Sequence, residues 1–169
     1  QYDTRDFILN PKRGIYFMAR EIFYPDFMSS YHKTLFNTTM IFDAYNRMWS
    51  GSVLAFDLYG QFNNQYTPWP LREELGSRMR GYYGGRYIDC NQMTAQLELR
   101  QHIYSRIGCV AWMGCGTVFP SFDKLKVEHI LPNYGIGLRI EFKHNVNVRI
   151  DYGFGKDTAG FLFQFAEAF

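Results

Sequence analysis

YGIGLRIEFK (residues 134–143) and VNVRIDYGFG (residues 146–155) decide the fold. In the first, Tyr134, Ile136, Leu138, Ile140 and Phe142 alternate with Gly135, Gly137, Arg139, Glu141 and Lys143. In the second, Val146, Val148, Ile150, Tyr152 and Phe154 alternate with Asn147, Arg149, Asp151, Gly153 and Gly155. The chain then runs through Phe161, Phe163, Phe165 and Phe169, spaced by Leu162, Gln164, Ala166 and Ala168. A period of two means strands, because successive side chains point to opposite faces of a sheet. The sense of the alternation is unusual. The polar set carries Arg139, Glu141, Arg149 and Asp151 among small residues, while the apolar set is long and aromatic. That suits a barrel with lipid outside and a narrow polar interior. A soluble antiparallel barrel or sandwich would show the same pattern turned inside out. Strand length and aromatic content favour the membrane form.

Working outward, the remaining chain reads as more strands of the same kind. Gly14 to Tyr24, Tyr31 to Tyr45, Ser52 to Phe62, Met93 to Ile103 and Ile107 to Val118 precede the final three. Phe36, Met40 and Phe42 share a face with Thr38 and Ala44, opposite Lys33, Asn37, Thr39 and Asp43. Leu54, Phe56 and Leu58 oppose Asp57, Tyr59 and Gln61. Ala95, Leu97 and Leu99 oppose Gln96, Glu98, Arg100 and His102. Around Ala19, Arg20 and Glu21, and along the small residues of 107–118, alternation does not assign the faces. The count is about eight strands, the smallest usual membrane barrel, in up-and-down order. Asn46 to Gly51, Ser105-Arg106 and His144-Asn145 are short connections. Asn63 to Asp89 and Phe119 to Asn133 are long, so short turns alternate with long loops. The expected organisation is an N-terminal segment and turn over 1–13, and an outer-membrane β-barrel over 14–169 with a long extracellular loop at 63–90.

Composition agrees. Aromatic residues make up 19% of the 169, and interfacial aromatic girdles account for such a share. Mean hydropathy is −0.29, as expected when polar residues are hidden inside a barrel. No run reaches the ~18 apolar residues of a spanning helix. Net charge is +2, with Lys+Arg 18 against Asp+Glu 16, which is not a nucleic-acid-binding balance. Gln1 is no initiator methionine, so a mature or trimmed product is expected. Cys109 and Cys115 on one strand would lie about 20 Å apart, too far to pair. With Cys90 they form neither a disulfide framework nor a zinc site. No metal or other cofactor is expected.

Tyr2-Asp3-Thr4-Arg5-Asp6, then Asn10-Pro11-Lys12-Arg13-Gly14, then Gly76-Ser77 and Met79-Arg80-Gly81-Tyr82, then Asp151-Tyr152-Gly153 and the final Phe169 follow one another along nearly the whole chain. In these motifs and their order the chain resembles the C-terminal barrel region of BamA/TamA-type outer-membrane proteins. The resemblance implies the outer membrane of a diderm bacterium and a role in protein assembly or transport. It also implies outer-membrane lipid, and either other assembly components or further copies of the chain, as partners. Such barrels usually have sixteen strands and periplasmic domains. This chain has the length of the last half, as a fragment or as a short member lacking those domains. In the family, the loop with the Arg-Gly-Tyr motif folds back into the lumen, and its arginine meets acidic residues on the inner wall. Here that loop motif is Arg80, Gly81 and Tyr82, and the acid is Glu98, which also falls on the polar face by periodicity. The family's second acid aligns with Gly114. Phe161, Phe163, Phe165 and Phe169 resemble the C-terminal assembly signal of such barrels.

A guanidinium offers a carboxylate a planar, permanently charged fork, so an Arg80–Glu98 pair would pin the loop. Alternatively Arg80 sits in a solvated surface loop with Arg78 and Arg86. Glycines 81, 84 and 85 would let the loop bend. Arg139, Glu141, Arg149 and Asp151 read as an ion-pair network filling the lumen rather than a pore, since so small a barrel is only just wide enough for side chains. Strict alternation puts Glu167 on the outward face, near the interface. His102, Ser105 and Asp57 have no spacing that supports a catalytic relay, so a lipid-modifying enzyme is the weaker alternative and a structural or adhesive barrel the other.

Overall fold

The computed structural model describes the chain except residues 29–31, 65–66, 144–145 and 166 and the side chain of Lys143. Its strands are β1 (Tyr2–Asp3), β2 (Gly14–Tyr24), β3 (Leu35–Arg47), β4 (Ser52–Asn63), β5 (Glu73–Glu74), β6 (Ile88–Asp89), β7 (Asn91–Tyr104), β8 (Ile107–Phe119), β9 (Leu131–Lys143), β10 (Val146–Gly155) and β11 (Thr158–Phe165). The protein is all-β. One antiparallel sheet of nine strands runs up and down in the order β1-β2-β3-β4-β7-β8-β9-β10-β11, and β5 and β6 pair separately within the long loop. β3 begins at Leu35 rather than at Tyr31, which lies outside the described residues, as does the turn expected at His144-Asn145. The ladder slips beside that turn, between Val146 and Asn147.

The sheet curls around its polar face. Ile136 is 67% exposed and Phe163 56%, whereas Arg139 is 4% exposed and Arg149 6%. Up to Gly116, β8 obeys the same rule despite its small residues: Cys109, Met113 and Cys115 look out, while Val110, Trp112 and Gly116 look in; beyond it Thr117 and Phe119 are both buried. On β2, Ala19 and Glu21 share the outer face of Phe17 and Phe23, and Arg20 pairs across to buried Thr39 on the inner one.

Closure is where the fold departs from expectation. No strand ladder joins β11 to β1 or β2 among the described residues. Two local causes are visible. The N-terminal segment doubles back and occupies part of the edge of β2, pairing Tyr2 with Phe17 and Asp3 with Tyr16. At the other end β11 stops at Phe165 and the tail turns inward, where Glu167 N–H donates to Leu9 C=O at 3.3 Å.

Candidate functional site

The long loop between β4 and β7 does not stand away from the sheet; it descends into the curl. Leu75, Met79 and Tyr82 pack with Leu131 in a small apolar cluster, flanked by Tyr87 and Val118. Tyr82 O–H donates to Pro132 C=O at 2.6 Å and accepts from Lys156 N–H at 2.9 Å, while Thr158 Oγ donates to Gly81 C=O. The path needs two glycines facing each other. Gly81 has φ +98°, and a Cβ built there would lie 2.7 Å from the Gly153 backbone; one on Gly153 would lie 2.8 Å from the Arg80 carbonyl. Inner-face glycine on β10 thus makes the room that the loop backbone fills.

That path delivers Arg80 to the buried wall. Its Nη2 lies 2.6 Å from Glu98 Oε2, as an ion pair out of hydrogen-bond alignment, and its Nη1 donates to Asp151 Oδ2 at 3.1 Å. Its guanidinium also stacks 3.7 Å from the centroid of Trp112. Both carboxylates are fully buried. The structure therefore tucks Arg80, Gly81 and Tyr82 into the curl and brings Arg80 onto Glu98. Gly114, across the ladder from Gln96, supplies no acid, and the second one comes instead from β10, as Asp151. Arg80 is not a solvated loop residue, although its neighbour Arg86 is exposed.

The charges continue as a network. Arg100 Nε donates to Glu98 at 2.7 Å, Arg139 pairs with Asp151, and Arg149 lies 4.0 Å from Asp151. Glu141 lies further toward the short-turn end, half-buried at the rim of a cavity. Arg78, two residues before Arg80 in the loop, pairs with fully buried Asp57, which stands across the ladder from Asp43.

Glu167 corrects the alternation. It is not on the outer face: with its side chain 2% exposed, it accepts from Arg139 Nε at 2.7 Å and Asn147 Nδ2 at 2.6 Å. The strand ends two residues earlier, so alternation no longer applies. Of the four aromatic residues of the tail, Phe161, Phe163 and Phe165 are exposed on the outer face, while Phe169 folds in and its main-chain oxygen accepts from Arg100 at 3.0 Å. His102 bonds the Ser105 carbonyl through Nε2 at 2.8 Å, a turn contact that leaves Asp57 far along the sheet at a different position in the ladder.

At the short-turn end, Asp6 organises the N-terminal turn. Burial pushes its carboxyl up, but backbone N–H groups of Lys12 (2.8 Å), Arg13 (3.2 Å) and Phe7 (3.0 Å) outweigh that and hold it below the usual carboxylate range.

Trp112, Arg100 and Asp151 in its role toward Arg80 are the residues that sequence reasoning missed. Periodicity put Arg100 and Asp151 on the polar face; nothing in 107–118 distinguished the facing of Trp112. Among known proteins, no family model matches the chain and no curated protein matches it.

Proposed function

We propose that the chain is an outer-membrane β-barrel protein of the BamA/TamA type that contributes to the assembly or transport of other outer-membrane proteins. The observation that carries the reading is polarity: apolar side chains cover the outside of the curl and paired charges fill its centre. A Phe, Ile, Leu or Met contributes about 1.5–3 kcal/mol when fully buried, so leaving about a dozen half-exposed to water forgoes roughly 10–20 kcal/mol. That rivals the ~5–15 kcal/mol stability of a whole domain. Hydrocarbon around the outer face removes the cost. The eight long strands, β2 to β4 and β7 to β11, have 8 to 14 residues each, close to the ~9–11 of a tilted strand crossing a bilayer. In hydrocarbon an unpaired strand edge is costly, so this reading requires the bare edges of β2 and β11 to be covered once in lipid. The second support is the loop, whose Arg80 reaches Glu98 inside the curl as the resemblance implies.

The test is reconstitution. The protein is refolded into lipid vesicles, and the insertion rate of a urea-denatured outer-membrane barrel is measured with and without it. Faster client insertion, reduced by Arg80→Ala, is expected. A protein that integrates stably yet leaves client insertion at the rate of empty vesicles removes the assembly role. One that stays in the aqueous fraction removes the membrane reading itself.

A further inference from the structure

Where the short turns gather, the curled sheet opens into a cavity of about 580 Å³. Arg100 and Arg139 form its floor, and Lys12, Arg13, Arg47 and Arg106 stand around it, against the carboxylates of Glu141 and Glu167. Arg47 reaches Asp6 only at 4.0 Å. Among the described residues, no carboxylate lies within ion-pair distance of Lys12, Arg13 or Arg106. Arg139, 4% exposed, keeps Nη2 without a hydrogen-bond partner.

The chain's own tail and N-terminal turn display what such a site accepts. The Glu167 carboxylate takes Arg139 and Asn147, and Arg100 donates to the Pro11 peptide carbonyl at 3.3 Å and to the main-chain oxygen of the last residue, Phe169, at 3.0 Å. This is the donor pattern for a polypeptide with an acidic side chain: one guanidinium on the carboxylate, the next on the backbone. The unmatched cations stand on separate connections around the mouth. Lys12 and Arg13 are on the N-terminal turn, and Arg106 is on the β7–β8 turn. Cations on two separate connections around one mouth suit an extended chain that carries several carboxylates.

We infer that this cavity is a docking site for an acidic segment of a partner protein, with its carboxylates paired to Lys12, Arg13 and Arg106. The inference goes beyond the proposed function, since it rests on the mouth of the curl and not on what surrounds the outer face. Rim charges of this kind steer association and are screened by salt.

The probe is fluorescein-labelled hexaglutamate, followed by anisotropy against the full chain folded in neutral detergent micelles. Hexaglutamate should bind at low salt, weaken as salt rises, and lose at least about tenfold in affinity in the Lys12→Glu/Arg13→Glu/Arg106→Glu protein, as expected for removal of several ion pairs. Should the triple reversal fail to fold, Lys12→Gln/Arg13→Gln provides the milder variant, with a smaller loss expected. Binding no stronger than that of hexaglutamine, or unchanged affinity in a folded variant, overturns the inference. Displacement by inorganic phosphate beyond the effect of chloride at equal ionic strength, or by phosphatidylglycerol micelles but not neutral ones, assigns the rim to phosphate or lipid headgroups and overturns it too.

Discussion

Replacing Glu98 by Gln should damage this protein more than replacing Arg80 by Met, although Arg80 is the residue that ties the loop down. Around Glu98 the structure places four arginines (Arg80, Arg100, Arg139 and Arg149) and three carboxylates (Glu98, Asp151 and Glu167). Glu98→Gln leaves four cations facing two anions in a site whose side chains are at most 8% exposed. Breaking a buried pair and stranding its partner costs about 3–5 kcal/mol. Arg80→Met leaves three facing three. Glu98 retains Arg100 at 2.7 Å, and Asp151 retains Arg139. What Arg80→Met removes is the ion pair to Glu98, the charged hydrogen bond to Asp151 and the stacking on Trp112; because each carboxylate keeps another arginine, the loss is about 2–3 kcal/mol. Urea unfolding in micelles, followed by tryptophan fluorescence, measures both. Trypsin cleavage at Arg72, Arg78 and Arg86 measures the loop separately. Both variants should expose the loop, with Glu98→Gln unfolding at the lower urea concentration. Equal midpoints, or the reverse order, would refute the charge count on which the reasoning rests.

Gly153→Ala should push the loop out, because its Cβ meets the Arg80 carbonyl at 2.8 Å; a loss of about 1–3 kcal/mol and rapid trypsin cleavage at Arg86 are expected. Glu167→Gln removes the carboxylate from Arg139 and Arg100 and should free the tail, seen as faster carboxypeptidase digestion from Phe169 with the sheet intact. Asp6 is held below its ordinary value, so its contribution to the N-terminal turn is present above about pH 4 and lost as pH falls through the folded pKa. The amide resonances of Lys12 and Arg13 should therefore titrate with a midpoint below about 3.9, and Asp6→Asn should abolish that titration.

Much of the sheet was legible because period-two alternation is a local property. β2 begins and ends where glycine and proline punctuation suggests, and the faces of β9 and β10 follow from alternation alone. Three features were not legible, each for a physical reason. Trp112 sits in a strand whose two faces are both small, so its direction comes only from neighbours in the ladder. Asp151 stands 71 positions from Arg80, and only the descent of the loop past Gly153 brings them together. Glu167 continues the alternation on paper, yet β11 ends at Phe165 because buried arginines offer its carboxylate more than another ladder position would. The open seam has the same origin: pairing at the two ends depends on what the N-terminal segment and the tail do, and the first has no period to read while the second departs from the one it shows.

Cys115 offers the most direct test of the outward-facing apolar surface, since it is exposed near the middle of β8 and is native to the chain. With Cys90 and Cys109 replaced by Ser, a nitroxide on Cys115 in protein refolded with lipid vesicles should collide with dissolved oxygen far more often than with a water-soluble nickel chelate, as a site in hydrocarbon does. Collision dominated by the nickel chelate, in protein whose Arg80–Glu98 loop remains trypsin-resistant, would put water against that face and contradict the account.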